Sequence, residues 1–289
     1  MYQIVTDSCC DVPYQLLAEK DVAFIPMIVN INGQEYFDDL GKSFDYEQFL
    51  QSLRDKQQPT TSQINVGRYI EFFTPYCEKG EAILYLCFTS GMSGSYNSAL
   101  QAVDILKEDY PEANIQVVDT LAASMGEGFI VLEAAKRKQT GASMEEVITW
   151  VNEHKMNLQS WVTVDDLSHL YRGGRLSRSQ AAMGGLLNIK PIIHVDAKGT
   201  LQNVGKVRGR NKALQKVVDE TVDHLVSKEN QTVYVAYSGD LEAAEKVMGL
   251  LKEKIDIQDS GIFPLGPTIA SHTGLGCIAV FTFGQERVD

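Results

Sequence analysis

The chain has 289 residues, enough to bury one large hydrophobic core or two smaller ones, and its 44% hydrophobic and 22% charged residues are typical of globular domains. Its formal net charge is −12, and an acidic surface repels phosphate backbones, which argues against nucleic-acid binding as the main task. The longest apolar run, residues 82–88, is far too short to cross a bilayer, so we expect no stable membrane insertion.

In the first half of the chain, short apolar runs alternate with amphipathic stretches. These patterns predict strands at 2–5, 22–31, 82–88 and 115–119. They predict helices at 45–56, 66–79, 95–110 and 125–139. Such alternation is typical of a parallel sheet with helices on its faces.

The second half combines hairpin-like and helical patterns. Strands are predicted at 160–164, 189–196, 199–209, 232–237, 257–263 and 276–284, and helices at 211–228 and 241–255. We therefore predict an α/β protein of two domains. Residues 1–160 would hold a mostly parallel sheet with flanking helices, and residues 161–289 a mixed sheet with helices.

The five cysteines indicate the compartment. Their number is odd, two are adjacent, and no C-x-x-C spacing occurs, which argues against a disulfide framework or a zinc site. Free thiols suit a reducing environment, so we expect a cytoplasmic protein.

Four small polar loops are candidates for a binding site. In open α/β sheets, ligands bind beyond the carboxyl ends of the strands. Loops at one such edge would form a pocket rich in hydroxyl and backbone N–H groups; the candidates are residues 6–8, 59–63, 90–95 and 119–120.

The Ser-Gly-Met-Ser-Gly-Ser loop at 90–95 is the most informative of the four. Its glycines permit a tight turn or close approach to a ligand, and Ser93 or Ser95 can cap a helix whose free N–H groups suit an anion. Ser93 also nearly fits a nucleophile elbow, but Ser95 stands where that motif has glycine. Hydrolysis or acyl transfer by Ser93 with His272 as its base is the alternative reading.

Cofactor motifs are absent from the sequence. There is no G-x-x-x-x-G-K-[ST] phosphate loop, and the glycine-rich stretch at 266–276 lacks both the lysine and a predicted strand–turn–helix context. No H-E-x-x-H or close His/Asp cluster indicates a metal. We expect no cofactor and no metal.

Two basic clusters contrast with the acidic background: Arg172, Arg175 and Arg178, and Lys206, Arg208, Arg210 and Lys212. They are either solvated surface or recognition sites for phosphate or an acidic partner. A purely structural role for Arg172 and Arg175, bonding the carbonyls of the intervening glycine turn, is a further alternative.

Together these stretches resemble the DegV family of fatty-acid-binding proteins, which serve bacterial fatty acid kinases. The resemblance covers nearly the whole chain and rests on Thr6-Asp7-Ser8, Pro59-Thr60-Thr61-Ser62-Gln63, Ser90-Gly91-Met92-Ser93-Gly94-Ser95-Tyr96, Val118-Asp119-Thr120, Leu170-Tyr171-Arg172-Gly173-Gly174-Arg175, Lys190-Pro191-Ile192, Lys206-Val207-Arg208-Gly209 and His272-Thr273-Gly274.

The resemblance implies a non-enzymatic lipid carrier. A long-chain fatty acid would lie between the two domains, with its carboxylate held by Thr61, Ser93 and Gly94 and near His272. A partner kinase would form the acyl phosphate, for phospholipid synthesis. We expect Arg172 and Arg208 to dock that kinase or to contact the transferred phosphate. A regulatory protein that senses the acid is the remaining alternative.

A long apolar chain can enter a closed pocket only if a wall moves. The segment 66–80 is the sequence-based candidate, because it follows Pro59 and the polar stretch Ser62-Gln63-Ile64-Asn65-Val66-Gly67.

Overall fold

The structure, a computed structural model, describes residues 2–181 and 188–288. Its strands are β1 (Tyr2–Asp7), β2 (Val22–Ile25), β3 (Met27–Ile31), β4 (Gln34–Asp38), β5 (Thr60–Ser62), β6 (Ala82–Cys87), β7 (Ile115–Asp119), β8 (Leu158–Thr163), β9 (Ile189–Val195), β10 (Leu201–Arg208), β11 (Gln231–Tyr237), β12 (Ile257–Pro264) and β13 (Ile278–Phe283). Its helices are α1 (Tyr14–Glu19), α2 (Tyr46–Arg54), α3 (Val66–Glu78), α4 (Ser95–Asp109), α5 (Met125–Gln139), α6 (Met144–His154), α7 (Ser168–Arg172), α8 (Arg178–Ala181), α9 (Arg210–Asp223), α10 (Leu241–Lys252) and α11 (Pro267–Thr273).

The first half builds a four-stranded parallel sheet in the order β2-β1-β6-β7. Successive side chains of a strand point to opposite faces. In β6, Ile83 and Tyr85 join the core beneath α3 and α4, whereas Leu84 and Leu86 join the core on the side of α5. Helices on both faces of a parallel sheet confirm the predicted arrangement.

The second half forms a six-stranded sheet in the order β10-β9-β8-β13-β11-β12, with parallel and antiparallel neighbours. On one face, Val233 and Val235 of β11 are buried with α9 and α10. On the other face, the Tyr234 ring lies 4.7 Å from the Phe129 ring of α5. The predicted mixed sheet, and with it the α/β fold class, is confirmed.

Helix α5 connects the cores of the two sheets, because its side chains pack on the parallel sheet and, through Phe129, on the six-stranded sheet. The six-stranded sheet begins at Leu158, which pairs with Phe283. The division between residues 160 and 161 predicted from the sequence therefore falls inside β8.

The prediction of one continuous strand at 22–31 was wrong. The chain breaks at Pro26, so that β2 belongs to the parallel sheet and β3 to a separate three-stranded sheet in the order β4-β3-β5. Proline lacks the N–H that a continuous ladder needs. In the small sheet, Thr61 pairs with Val29, which fixes the position of the threonine loop.

The prediction that residues 266–276 lack a strand–turn–helix context was also wrong. Strand β12 ends at Pro264 and α11 begins at Pro267, so a strand–turn–helix does occur there. Proline suits the first turn of a helix, and Gly274 has the positive φ of +72° that ends it. His272 therefore lies in the last turn of a helix and not in a loop.

Candidate functional site

A narrow cavity lies between one face of the six-stranded sheet and the loops that follow β1, β6 and β7. Its volume, counted as the space open to the centre of a water molecule, is about 80 Å³. The sheet side is lined mainly by apolar residues of β8, β9 and β13: Val162, Ile193, Val195, Ala279 and Phe281. The opposite wall includes Cys9, Phe88, Met92 and Ala123. The site thus lies beyond the carboxyl ends of the parallel strands, as the sequence predicts.

The cavity has a polar end, formed by Thr61 of β5 and His272 of α11. Thr61 Oγ1 and His272 Nε2 are hydrogen-bonded at 2.7 Å. Both residues also line a depression on the outer surface, together with His169, Arg172 and Arg175. Thr61 and His272 therefore lie where the cavity and the outer depression adjoin.

His272 is held in its neutral form. Burial, followed by the nearby charge of Arg175 and by His169, lowers the pKa of His272 to about 4. A Cβ at Gly173 would overlap the Nδ1 atom of His272, so glycine at 173 leaves room for the ring. At neutral pH the ring offers one N–H and one lone pair, and no charge.

The serine loop lies beside this polar end. Ser93 Oγ donates to Ser95 Oγ at 3.0 Å and accepts from the Ser95 N–H at 3.2 Å. Ser95 Oγ accepts from the Ile64 N–H at 3.2 Å, which links the serine loop to the threonine loop. Gly94 lies against the amide end of the Gln63 side chain, which would have to shift if residue 94 carried a Cβ. The structure thus brings Thr61, Ser93 and His272 to one cavity, with Gly94 beside Ser93.

The other two predicted loops serve the framework. Asp7 accepts hydrogen bonds from Tyr85 and from the Phe88 N–H, and Ser8 accepts one from the Met27 N–H. Thr120 donates to the Cys87 carbonyl. Residues 6–8 and 119–120 therefore anchor neighbouring loops with their polar side chains.

The arrangement does not form a nucleophile–base pair. His272 is bonded to Thr61 through Nε2, while Ser93 is bonded to Ser95. A serine nucleophile needs a hydrogen bond to its base. No hydrogen bond therefore joins Ser93 to His272 in this structure.

Arg175 holds the serine loop from the other half of the chain. Its Nε donates to the Met92 carbonyl at 3.1 Å, and its Nη1 donates to the Gly173 carbonyl. The bond to the Gly173 carbonyl is the contact that a purely structural role of Arg175 in the glycine turn predicts. Arg175 also lines both the cavity and the outer depression.

The predicted partner-recognition residues lie at the surface. Arg172 is exposed at the rim of the outer depression. Arg208 is exposed at the end of β10, where it pairs with Ile189 of β9. This is the edge of the six-stranded sheet at which β8 ends and the chain continues to α7. Within residues 2–181 and 188–288, neither arginine has a hydrogen-bond or ion-pair partner.

The turn between β9 and β10 also touches the serine loop. Thr89 Oγ1 donates to the Gly199 carbonyl at 2.9 Å, and a Cβ at Gly91 would come within 2.7 Å of that same oxygen. Gly199 itself has a φ of +71°. These contacts explain the glycine at 91 as a site of close backbone approach.

Sequence reasoning missed the roles of Gln63 and His169 around the polar end, and the bond from Arg175 to the Met92 carbonyl, although it offered the bonding of Arg175 to the glycine turn as an alternative. Gln63 and Arg175 stand inside motifs that were recognised, but their contacts depend on how distant segments meet. In the part of the chain that the structure describes, no helix is long and apolar enough to cross a membrane. In the same residues, no group of three or more His, Cys, Asp or Glu side chains is placed to hold a metal.

Comparison with known proteins agrees with this architecture. A family model described as "Uncharacterised protein, DegV family" matches residues 1–285. A DegV domain-containing protein of Clostridium perfringens is 41% identical over 286 residues, covering 99% of this chain and 98% of that protein.

Solved structures agree as well. A DegV family protein from Thermus thermophilus, described with fatty acid binding, is similar with a TM-score of 0.87 and 28% identity, covering 98% of this chain and 99% of that one. A stearic acid-binding protein from Eubacterium ventriosum has a TM-score of 0.85 and 29% identity, with 99% of both chains covered. The chain belongs to the DegV family.

Proposed function

We propose that the chain binds a long-chain fatty acid in the cavity between its two sheets and presents the carboxylate to a fatty acid kinase. One observation carries the proposal: Thr61 and His272 line both the buried cavity and the outer depression. A carboxylate at this point has its alkyl chain inside the protein and can be approached from outside. The ligand class is that described for the related Thermus and Eubacterium proteins.

The tail supplies most of the affinity in this proposal. A sixteen-carbon acid buries about fourteen methylenes, worth on the order of 10 kcal/mol gross at about 0.8 kcal/mol each. A hydrogen bond to a charged group is worth about 1.5–3 kcal/mol. The head-group residues therefore position the carboxylate more than they retain the lipid.

The head group is held by neutral donors. If His272 Nε2–H donates to Thr61 Oγ1, the Thr61 hydroxyl is free to donate to a carboxylate oxygen. The Ser93 hydroxyl can turn from Ser95 toward a second carboxylate oxygen while its own oxygen still accepts from the Ser95 N–H. Arg175 is nearby, but its Nε and Nη1 donate to the Met92 and Gly173 carbonyls. A carboxylate held by the hydroxyl groups and not paired with this arginine keeps its nucleophilicity toward a phosphoryl donor.

The phosphoryl transfer is assigned to a partner. The chain acts as a carrier and a kinase in the cytoplasm forms the acyl phosphate, which then serves phospholipid synthesis. The exposed, unpaired Arg172 at the rim of the depression and Arg208 at the same end of the sheet suit an acidic docking face or the transferred phosphate.

Reconstitution tests this function. Delipidated protein is loaded with hexadecanoate and incubated with a fatty acid kinase and Mg-ATP, and hydroxylamine then converts any acyl phosphate to a stable hydroxamate. We expect hydroxamate only when protein, lipid and kinase are all present. Lipid binding without hydroxamate, with a kinase shown active on another DegV protein, would favour a sensor of fatty acid over a carrier.

A further inference from the structure

Ser160 of β8 lines the apolar part of the cavity, and its hydroxyl oxygen lies near Gly126 of α5. The residue is 1% exposed, lines the cavity, and its Oγ has no hydrogen-bond partner among the described residues. Apart from Thr61 and Ser93, the other three hydroxyl residues that line the cavity all donate to the protein: Ser124 to Asp11 at 2.5 Å, Thr268 to Asp38 at 2.6 Å, and Thr273 to the Ile269 carbonyl at 3.2 Å.

An unpaired buried hydroxyl is unfavourable, because it loses its bonds to water on folding and gains none in return. An alanine at this position would fill the wall without that cost. The hydroxyl at 160 therefore suits a ligand that brings its own hydrogen-bonding atom to this part of the cavity.

The sheet register gives the spacing along β13 between the residue paired with Ser160 and the end of the strand nearer to His272. Ser160 pairs with Phe281 of β13, and both line the cavity. Cys277 precedes the same strand and contacts Thr273, the residue after His272. Four residues of strand separate Cys277 from Phe281, or about 13 Å at roughly 3.3 Å per residue.

That distance corresponds to the middle of a long acyl chain. An extended chain advances roughly 1.2 Å per bond, as extended backbone does, so 13 Å is roughly eleven bonds. A fatty acid with its carboxylate at Thr61 and His272 would pass Ser160 near its tenth to twelfth carbon.

We propose that Ser160 binds an oxygen substituent on the acyl chain, and that the cavity selects mid-chain hydroxy fatty acids. The Ser160 hydroxyl donates to the ligand oxygen, which an unsubstituted chain lacks. This inference rests on the proposed function, because it assumes that the carboxylate lies at the polar end.

The test measures dissociation constants of delipidated protein for octadecanoate, 10-hydroxyoctadecanoate and 17-hydroxyoctadecanoate. The quantity compared is the preference for the 10-hydroxy acid, that is, the dissociation constant of the 17-hydroxy isomer divided by that of the 10-hydroxy isomer. This ratio should be about three- to tenfold larger in the wild type than in Ser160→Ala. Ser160→Thr keeps the hydroxyl and should retain part of the preference. Equal ratios in wild type and Ser160→Ala would overturn the inference.

If Ser160→Ala fails to fold, measurements on the wild type alone still test the inference. A wild-type protein that binds both hydroxy isomers equally contradicts a specific oxygen site at Ser160. If none of the three acids binds, the proposed function itself fails, whereas binding of all three without positional preference removes only this inference.

Discussion

Thr61 Oγ1 and His272 Nε2 lie 2.7 Å apart, although 211 residues separate them in the chain. Thr61 belongs to the small β4-β3-β5 sheet, and His272 lies in the last turn of α11. At the start of that helix, Asp38 of the same small sheet accepts two hydrogen bonds from Thr268. The small sheet and α11 are thus joined at both ends of the helix.

Replacing Thr61 by valine should uncouple lipid binding from phosphorylation. Valine keeps the shape and removes the hydroxyl that donates to the carboxylate, at a cost of about 1.5–3 kcal/mol. We expect lipid to remain bound, because the tail supplies most of the affinity, and kinase-coupled turnover to fall at least tenfold. Ser93→Ala should behave alike.

Thr140→Val, a change at an exposed threonine at the end of α5, is the control for this experiment. It should leave both lipid content and turnover unchanged. Turnover of Thr61→Val and Ser93→Ala at the wild-type rate would remove both residues from the head-group site.

Arg172→Glu should weaken the interaction with the kinase but not with the lipid. Its side chain is exposed and makes no hydrogen bond or ion pair with the described residues, so reversing the charge removes only its weaker electrostatic effects on Asp166 and His169. We expect unchanged lipid content and melting temperature, and reduced acyl-phosphate formation; Arg208→Glu should act in the same direction. Added salt should weaken the wild-type complex, because exposed charges are screened.

The matched control for these charge reversals is Arg54→Glu, at an exposed position at the end of α2. A large drop in the melting temperature of Arg172→Glu, with no specific loss of coupling, would support a structural role instead. Arg175→Ala differs from both: it should lower the melting temperature, because Arg175 bonds two backbone carbonyls.

The moving wall of the cavity should be α11 with β5, and not the segment 66–80 that the sequence favoured. No residue of that segment lines the cavity, and Tyr69 and Phe73 of α3 are fully buried. Lipid should therefore increase amide protection in residues 60–63 and 267–273 in hydrogen-exchange experiments. Protection gained only in 66–80 would reverse this assignment.

Asp38 should make stability depend on pH. Burial raises its pKa to about 6, despite the hydrogen bonds from Thr268 that oppose the shift. The folded protein then holds this proton more tightly than the unfolded chain, so the stabilisation present below about pH 4 is lost as pH rises through 6. The shift corresponds to about 3 kcal/mol.

Urea unfolding of wild type and Asp38→Asn from pH 4 to 7 measures this effect, because asparagine cannot titrate. The stability of wild type relative to Asp38→Asn should fall by about 2 kcal/mol over that range, because part of the total is already lost at pH 4. Burial also raises the pKa of Glu127, which is present in both proteins. Burial raises the pKa of Asp11 as well, and the charge of Asp38 adds to that shift, so the difference between the two proteins reports Asp38 together with its effect on Asp11. Parallel stability curves would contradict the raised pKa of Asp38.

Local patterns predicted most elements but not their assembly. The apolar runs of β6 and β7 and the helical spacing of α4 are properties of neighbouring residues, and they were read correctly. The break at Pro26 depends on which sheet each side of the proline joins. The Thr61–His272 hydrogen bond is a long-range tertiary contact, which hydrophobic periodicity does not encode. For the same reason the sequence locates the serine loop but does not predict its contacts with Gln63 and Arg175. Helix α6 was not among the predicted elements, although the Ser143–Glu146 capping box is a sequence signal for the start of a helix.

Native mass spectrometry of the purified protein tests the central claim most directly. The account predicts a mass excess equal to one intact long-chain fatty acid, which disappears on denaturation because no covalent bond is formed. An excess that survives denaturation and maps to an acyl group on Ser93 would contradict it and support an acyl-enzyme instead.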